Sequence, residues 1–166
     1  VPLGRAFLLF TTWQDVEYQS NQLIISSVAS EYTLSVTVYD VTGDYAGLEF
    51  DQVHLIFGSP GADSIQVTGL FVVTNPGDKA ILVQTDGTTV PFIDLPGSAS
   101  NTKYQLSQNS SELLNATGGF AMLPGIEKQY GFVASFSMPF TKSLEYVQEY
   151  SLPVASLTVF VPQGMR

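Results

Sequence analysis

The sequence predicts an all-β protein, an antiparallel β-sandwich preceded by an extended N-terminal strand segment. Three observations predict it. Apolar and polar residues alternate with a period of two along several segments, as the two faces of a half-buried strand require. Clusters of Gly, Pro, Asn, Asp and Ser recur at short intervals, spacing about ten short strands. No convincing helical period occurs anywhere in the 166 residues.

Residues 5–12 carry Phe7, Leu8, Leu9 and Phe10 in one run, which suits a strand covered on both faces. Trp13-Gln14-Asp15-Val16-Glu17-Tyr18 reads as a tight turn into a second extended piece, and Leu23-Ile24-Ile25 gives a third. Tyr32, Leu34, Val36 and Val38 alternate with Thr33, Ser35, Thr37 and Tyr39, the cleanest half-buried strand pattern in the chain. Gly43-Asp44-Tyr45-Ala46-Gly47 breaks it and marks a boundary between an N-terminal segment, 1–40, and a main sandwich domain, 41–166.

In the main domain Val53, Leu55 and Phe57 alternate up to the turn residues Gly58-Ser59-Pro60-Gly61. Residues 64–79, SIQVTGLFVVTNPGDK, place Ile65, Val67, Phe71 and Val73 on one face of a long strand. Asn75-Pro76-Gly77-Asp78 then favours a tight turn, and Ala80-Ile81-Leu82-Val83 reads as the returning strand of a core hairpin. Asp86-Gly87 signals a turn before an interrupted strand from Val90 to Leu95, closed by Pro96-Gly97. Residues 98–119 are polar and predict a loop with a short strand near Tyr104. Tyr130, Phe132, Ala134, Phe136 and Met138 alternate clearly, and residues 144–150, then Leu157, Val159 and Val161, supply the last strands. Pro139, Pro153 and Pro162 fit strand ends, where a missing N–H costs no ladder bond.

Composition excludes more than it assigns. Hydrophobic residues at 45% against charged ones at 13% argue for a folded, polar-surfaced exterior protein rather than a disordered one. Six basic against fifteen acidic residues, a net charge of −9, would repel a phosphate backbone, so nucleic acid is a poor partner. The absence of Cys removes disulfides, thiol catalysis and cysteine-ligated metal. No apolar run is long enough for a membrane-spanning helix, so the ordered chain is expected not to insert in a membrane. A start at Val1 rather than Met leaves room for a signal peptide, a preceding domain or an anchor.

No catalytic constellation emerges. His54, the single histidine, lies by parity opposite Val53 and Leu55, and no nucleophile motif accompanies it; a structural, partly exposed role is expected. A hydrolase would need His54 in a cleft beside a hydroxyl or carboxylate. Asp40, Asp44, Glu49 and Asp51 gather acid near one loop but lack the D-x-D-x-D-G progression of a calcium loop. Glu145 and Glu149 share a strand face at about 13 Å, given about 3.3 Å per residue, too far apart for paired acid and base. Trp13, Tyr18, Tyr39, Tyr45 and Tyr104 offer aromatic faces to sugars or, more ordinarily, fill a core. Asn109-Ser110-Ser111 and Asn115-Ala116-Thr117 match the N-glycosylation pattern, which makes Asn109 and Asn115 candidate acceptors.

Five stretches carry a family resemblance: Pro2-Leu3-Gly4-Arg5-Ala6-Phe7, Val16-Glu17-Tyr18-Gln19-Ser20, Asp51-Gln52-Val53-His54-Leu55-Ile56-Phe57, Asn75-Pro76-Gly77-Asp78-Lys79 and residues 136–153. Through them the chain resembles large exported β-sandwich proteins of Chloroflexota-type bacteria. The resemblance implies a carboxypeptidase-regulatory-like sandwich leading into a second sandwich, with a membrane anchor often following. That family has no assigned activity or catalytic residue, so no site carries over. Residues 5–28 would then be the closing strands of a preceding sandwich whose other strands are missing, leaving Phe7, Leu8, Leu9 and Phe10 as candidate subunit contacts.

The expectation is therefore an immunoglobulin-like or transthyretin-like all-β sandwich with an extended N-terminal strand segment. It is expected at the cell surface or outside the cell, structural or adhesive, not an enzyme, with no cofactor and no metal. Self-association into a homo-oligomer or filament by strand addition is expected. A carbohydrate- or calcium-binding surface module is the alternative.

Overall fold

The two longest alternating segments of the sequence become the two longest strands. A computed structural model of the chain describes residues 3–27 and 31–164. The strands of the first half are β1 (Ala6–Phe7), β2 (Phe10–Trp13), β3 (Val16–Gln19), β4 (Leu23–Ile24), β5 (Val41–Thr42), β6 (Glu49–Phe57) and β7 (Ser64–Asn75). Then come β8 (Ala80–Gln84), β9 (Ser100–Leu106), β10 (Leu114–Ala116), β11 (Gly119–Met122), β12 (Gly125–Pro139) and β13 (Leu157–Phe160). Among the described residues the sole helical element is a 3-10 turn, Tyr45–Gly47, in the predicted breaker; Asp44 Oδ1 caps it by accepting the Ala46 N–H at 2.9 Å.

The all-β class holds, and the strands form three sheets. One has the order β2-β3-β10-β11-β8-β5, another β13-β6-β7-β12-β9, and β1 pairs with β4 alone. Two pairings depart from the antiparallel expectation: β5 runs parallel to β8, and β13 parallel to β6. Parallel neighbours need a long connection rather than a tight turn. Here β13 reaches β6 only after the intervening chain has built most of both larger sheets. A single apolar cluster draws on both of them: Phe50, Val53 and Leu55 of β6, Val67, Phe71 and Val73 of β7 and Phe132 and Phe136 of β12 join Ile81 and Val83 of β8 and Met122 of β11.

The predicted core hairpin is instead a crossing between sheets. β7 pairs with β6 and β12, whereas β8 pairs with β11 and β5, so Asn75-Pro76-Gly77-Asp78 carries the chain from one sheet to the other. Asn75 fixes this corner from inside. Its side-chain amide donates to Lys79 O at 2.8 Å and Met122 O at 3.2 Å, and its Oδ1 accepts the Gly77 N–H at 3.2 Å. The turn residues were legible, but turn chemistry does not say whether the next strand returns to its neighbour.

Residues 32–39, the cleanest alternation, form no strand. The same holds for residues 144–150 and for the interrupted strand expected at residues 90–95. Residues 144–150 and 90–95 still turn apolar side chains inward, Leu144, Tyr146 and Tyr150 and the buried Val90, Phe92 and Ile93 packing on the main core, whereas in residues 32–39 Tyr32 and Val38 are exposed and Val36 and Tyr39, of opposite parity, pack on a small cluster of Val16, Tyr18 and Ala121. Alternation located the inward side of residues 144–150 but not that of residues 32–39. A ladder needs paired N–H and C=O groups on a neighbouring strand, and among the described residues these segments join none. Conversely, the expected polar loop of residues 98–119 holds β9, which spans Tyr104, and β10.

Tyr130 of β12 and the half-buried Tyr146 and Tyr150 of the strap after it set hydroxyls inside the fold. Tyr130, fully buried, donates to Leu123 O at 3.1 Å, and burial pushes its hydroxyl up to about 12. Tyr146 donates to Gln148 Oε1 and packs edge-on against Phe57, and Tyr150 does so against Phe50; burial raises both hydroxyls as well. A raised phenol pKa means the folded state keeps a proton that the unfolded chain releases near pH 10. For Tyr130 the contribution is fully present below about pH 10 and is lost as pH rises toward 12, at about 1.4 kcal/mol per pH unit. Urea midpoints measured from pH 8 to 11 should be level at first and then fall. Tyr130→Phe should flatten that fall, and an unchanged slope would dissociate Tyr130 from it.

Candidate interaction surface

The N-terminal run is where expectation and structure differ most usefully. Phe7, Leu8, Leu9 and Phe10 were expected on a strand covered on both faces; they are instead 40%, 46%, 45% and 65% exposed. The run is split, because Leu8 and Leu9 separate β1 from β2. Ser20 holds the split: Leu9 N–H donates to Ser20 Oγ at 3.0 Å and Ser20 N–H to Leu9 O at 2.8 Å.

β2 and β3 form the predicted tight hairpin, with Gln14 and Asp15 at φ 47° and 64° in its two-residue turn. Positive φ at both positions matches the right-handed twist of the flanking strands. Gln14 Oε1 accepts the Val41 N–H at 2.7 Å, tying the turn to β5. Register places Phe10 opposite Gln19 and Thr12 opposite Glu17, so these four share one face, while Val16 and Tyr18 are buried on the other. Among the described residues the ladder between this hairpin and the rest of its sheet is a single pair, Val16 opposite Ala116, supplemented by the Gln14 contact to β5 and by Thr117 N–H donating to Asp15 O at 3.0 Å.

The outer strands of the two larger sheets are not equally protected. β9 presents Lys103 and a polar run, the usual defence of an open edge. β2, Phe-Thr-Thr-Trp, and β13, Leu-Thr-Val-Phe, carry neither charge nor Pro. On β13, Leu157 and Val159 stand beside Val53 and Leu55 of β6 and share their core-facing side, yet both remain exposed. Val53 and Leu55 themselves are buried, so it is the apolar side chains of β13, not the core, that meet solvent at that edge.

The other candidates are placed as follows. His54 is half-buried with its ring 6.1 Å from Phe160, and among the described residues no hydrogen bond joins it to a carboxylate or hydroxyl. Asp44 is a cap, and Asp51 accepts from Gln129 Nε2 at 3.1 Å; among the described residues no three acids or His converge in a geometry to hold a metal. Glu145 and Glu149 are exposed on the outward side of a strap rather than on a strand. Tyr18 is buried, Tyr39, Tyr45 and Tyr104 are half-buried, and of the five aromatics considered for sugar binding only Trp13 is exposed. Asn109 is exposed at a turn; Asn115 is exposed on β10, its Nδ2 donating to Glu17 Oε2 at 3.4 Å.

What the sequence did not reveal is a groove of about 590 Å³ lined by Phe57, Phe140, Leu144, Tyr146 and Val161, with Lys142 at its rim. Its walls come from the end of β6, the strap after β12 and the residue after β13, which are far apart in the chain. Comparison with protein-family models, with curated proteins and with solved structures gave no match.

Proposed function

We propose that this chain is an extracellular or cell-surface structural or adhesive protein, a sandwich of immunoglobulin-like or transthyretin-like type, whose copies associate through the N-terminal segment. The resemblance to exported bacterial sandwich proteins belongs to the same reading. The observation that carries it is the exposure of Phe7, Leu8, Leu9 and Phe10 beside the unprotected edge of β2. Side chains left about half in water each forgo roughly 1 kcal/mol, and an open, uncharged edge invites another chain. The second unprotected edge, β13, differs from the first. Two unlike edges on one chain make a head-to-tail contact, which propagates into a ring or filament.

Replacing Phe7, Leu8, Leu9 and Phe10 together by Ser tests this without removing Val16 and Tyr18 from the small cluster. The wild-type chain should gain mass with concentration in sedimentation velocity, and the variant should stay monomeric with an unchanged melting temperature. A wild-type chain that remains monomeric throughout would sink the proposal, as would a variant that assembles equally well.

A further inference from the structure

The self-association proposed above leaves open what receives the N-terminal hairpin. We propose that the groove between β13 and the strap of residues 140–146 receives the outer face of the β2–β3 hairpin of a second copy, with Phe10 in the aromatic-lined hollow and Glu17 against Lys142.

The match rests on shape, chemistry and charge. The hollow offers Phe57, Phe140 and Tyr146, and its volume of about 590 Å³ lies within the range that takes several side chains. On the hairpin, Phe10 is the most exposed phenylalanine. Phe10 and Glu17 share a face one diagonal apart, about 7–8 Å at Cα. Glu17 uses one oxygen on Asn115, leaving the other free. Among the described residues the sole ion pair is Lys128 with Glu127, and neither Glu17 nor Lys142 has an oppositely charged partner among them. A protein with six basic and fifteen acidic residues holds few cations to place in an interface, and among the described residues Lys142 is the one charged side chain that lines this groove. A carboxylate beside an aromatic knob is the complement of a lysine beside an aromatic hollow. The hollow also adjoins Val161, so the same contact would cover the exposed end of β13.

Charge reversal tests the pairing, since both side chains are exposed and neither supports the core. Glu17→Lys and Lys142→Glu should each move the association midpoint to higher concentration by about tenfold or more, through like-charge contact. The double variant should return toward the wild-type midpoint. Mixing the two single variants should also restore assembly, with the copies alternating, because each supplies the charge the other lacks. Circular dichroism melts confirm that all are folded. If the wild-type chain assembles and both single variants assemble as it does, the groove is not the acceptor, although self-association stands. If no form assembles, both proposals fall. Native mass spectrometry that finds a small amphipathic anion held by the monomer through Lys142, with assembly indifferent to Glu17, would assign the groove to a ligand and overturn the inference.

Discussion

Phe71→Ala should lower the stability of the protein by about 3–5 kcal/mol, read as a shift in the urea midpoint at unchanged slope. The ring is fully buried on β7, paired across the sheet with Val53 on one side and Phe132 on the other. It also compensates for a gap. Gly69 lies on the same face two residues earlier, and a Cβ there would stand 2.7 Å from Phe71 Cε2, so the ring occupies the space that a side chain at 69 would fill. Phe50 packs against it at 5.6 Å between centroids. Removing the ring therefore empties two side-chain volumes at the centre of the sheet, beside a glycine that cannot relax into the void. A loss below about 1 kcal/mol would mean the ring does not fill the gap.

Phe71 was readable in the sequence because its strand has long partners on both sides. Period-two alternation located the core-facing residues of β7 and β12 correctly, and it gave the outward parity of His54 on β6. It failed as a guide to pairing. Residues 32–39 alternate as cleanly as β12, yet only β12 has β7 and β9 alongside to accept its backbone. The turn at Asn75-Pro76-Gly77-Asp78 was equally visible, but the destination of the chain after it depends on the amide of Asn75 reaching Met122, 47 residues away. The interaction surface was half legible. The apolar run of residues 7–10 stood out, whereas its exposure depends on where β1 ends and β2 begins, and on Ser20. Nothing local marks the groove, because no two of its three walls are neighbours in the chain.

Gly119→Ala should cost about 3–5 kcal/mol, an effect out of proportion to one methyl group. Gly119 opens β11 and sits opposite Gln84 of β8 and Ala116 of β10. A Cβ at this position would lie 1.9 Å from Val83 O, with Gln84 Cα at 3.1 Å. The obstacle is backbone, not a flexible side chain, so β11 must move away from β8, stretching ladder bonds and loosening the packing of the buried Ala121 and Met122 further along the strand. Gly118→Ala is the control. Gly118 has φ 77° but open space around its Cβ position, so its cost should be limited to the left-handed backbone penalty of about 1–2 kcal/mol. The adjacent positions thus separate steric approach from backbone handedness. The displacement should also reach the interaction surface, because β10 is the strand through which the β2–β3 hairpin joins the sheet, and Thr117 N–H donates to Asp15 O at 3.0 Å within that junction. Hydrogen exchange in Gly119→Ala should accelerate at Val16 and Tyr18 before it does at Phe71. Exchange that rises evenly across both sheets would mean that the displacement of β11 is not passed to the hairpin through β10, and a stability loss under about 1 kcal/mol would show that β8 and β11 do not approach so closely.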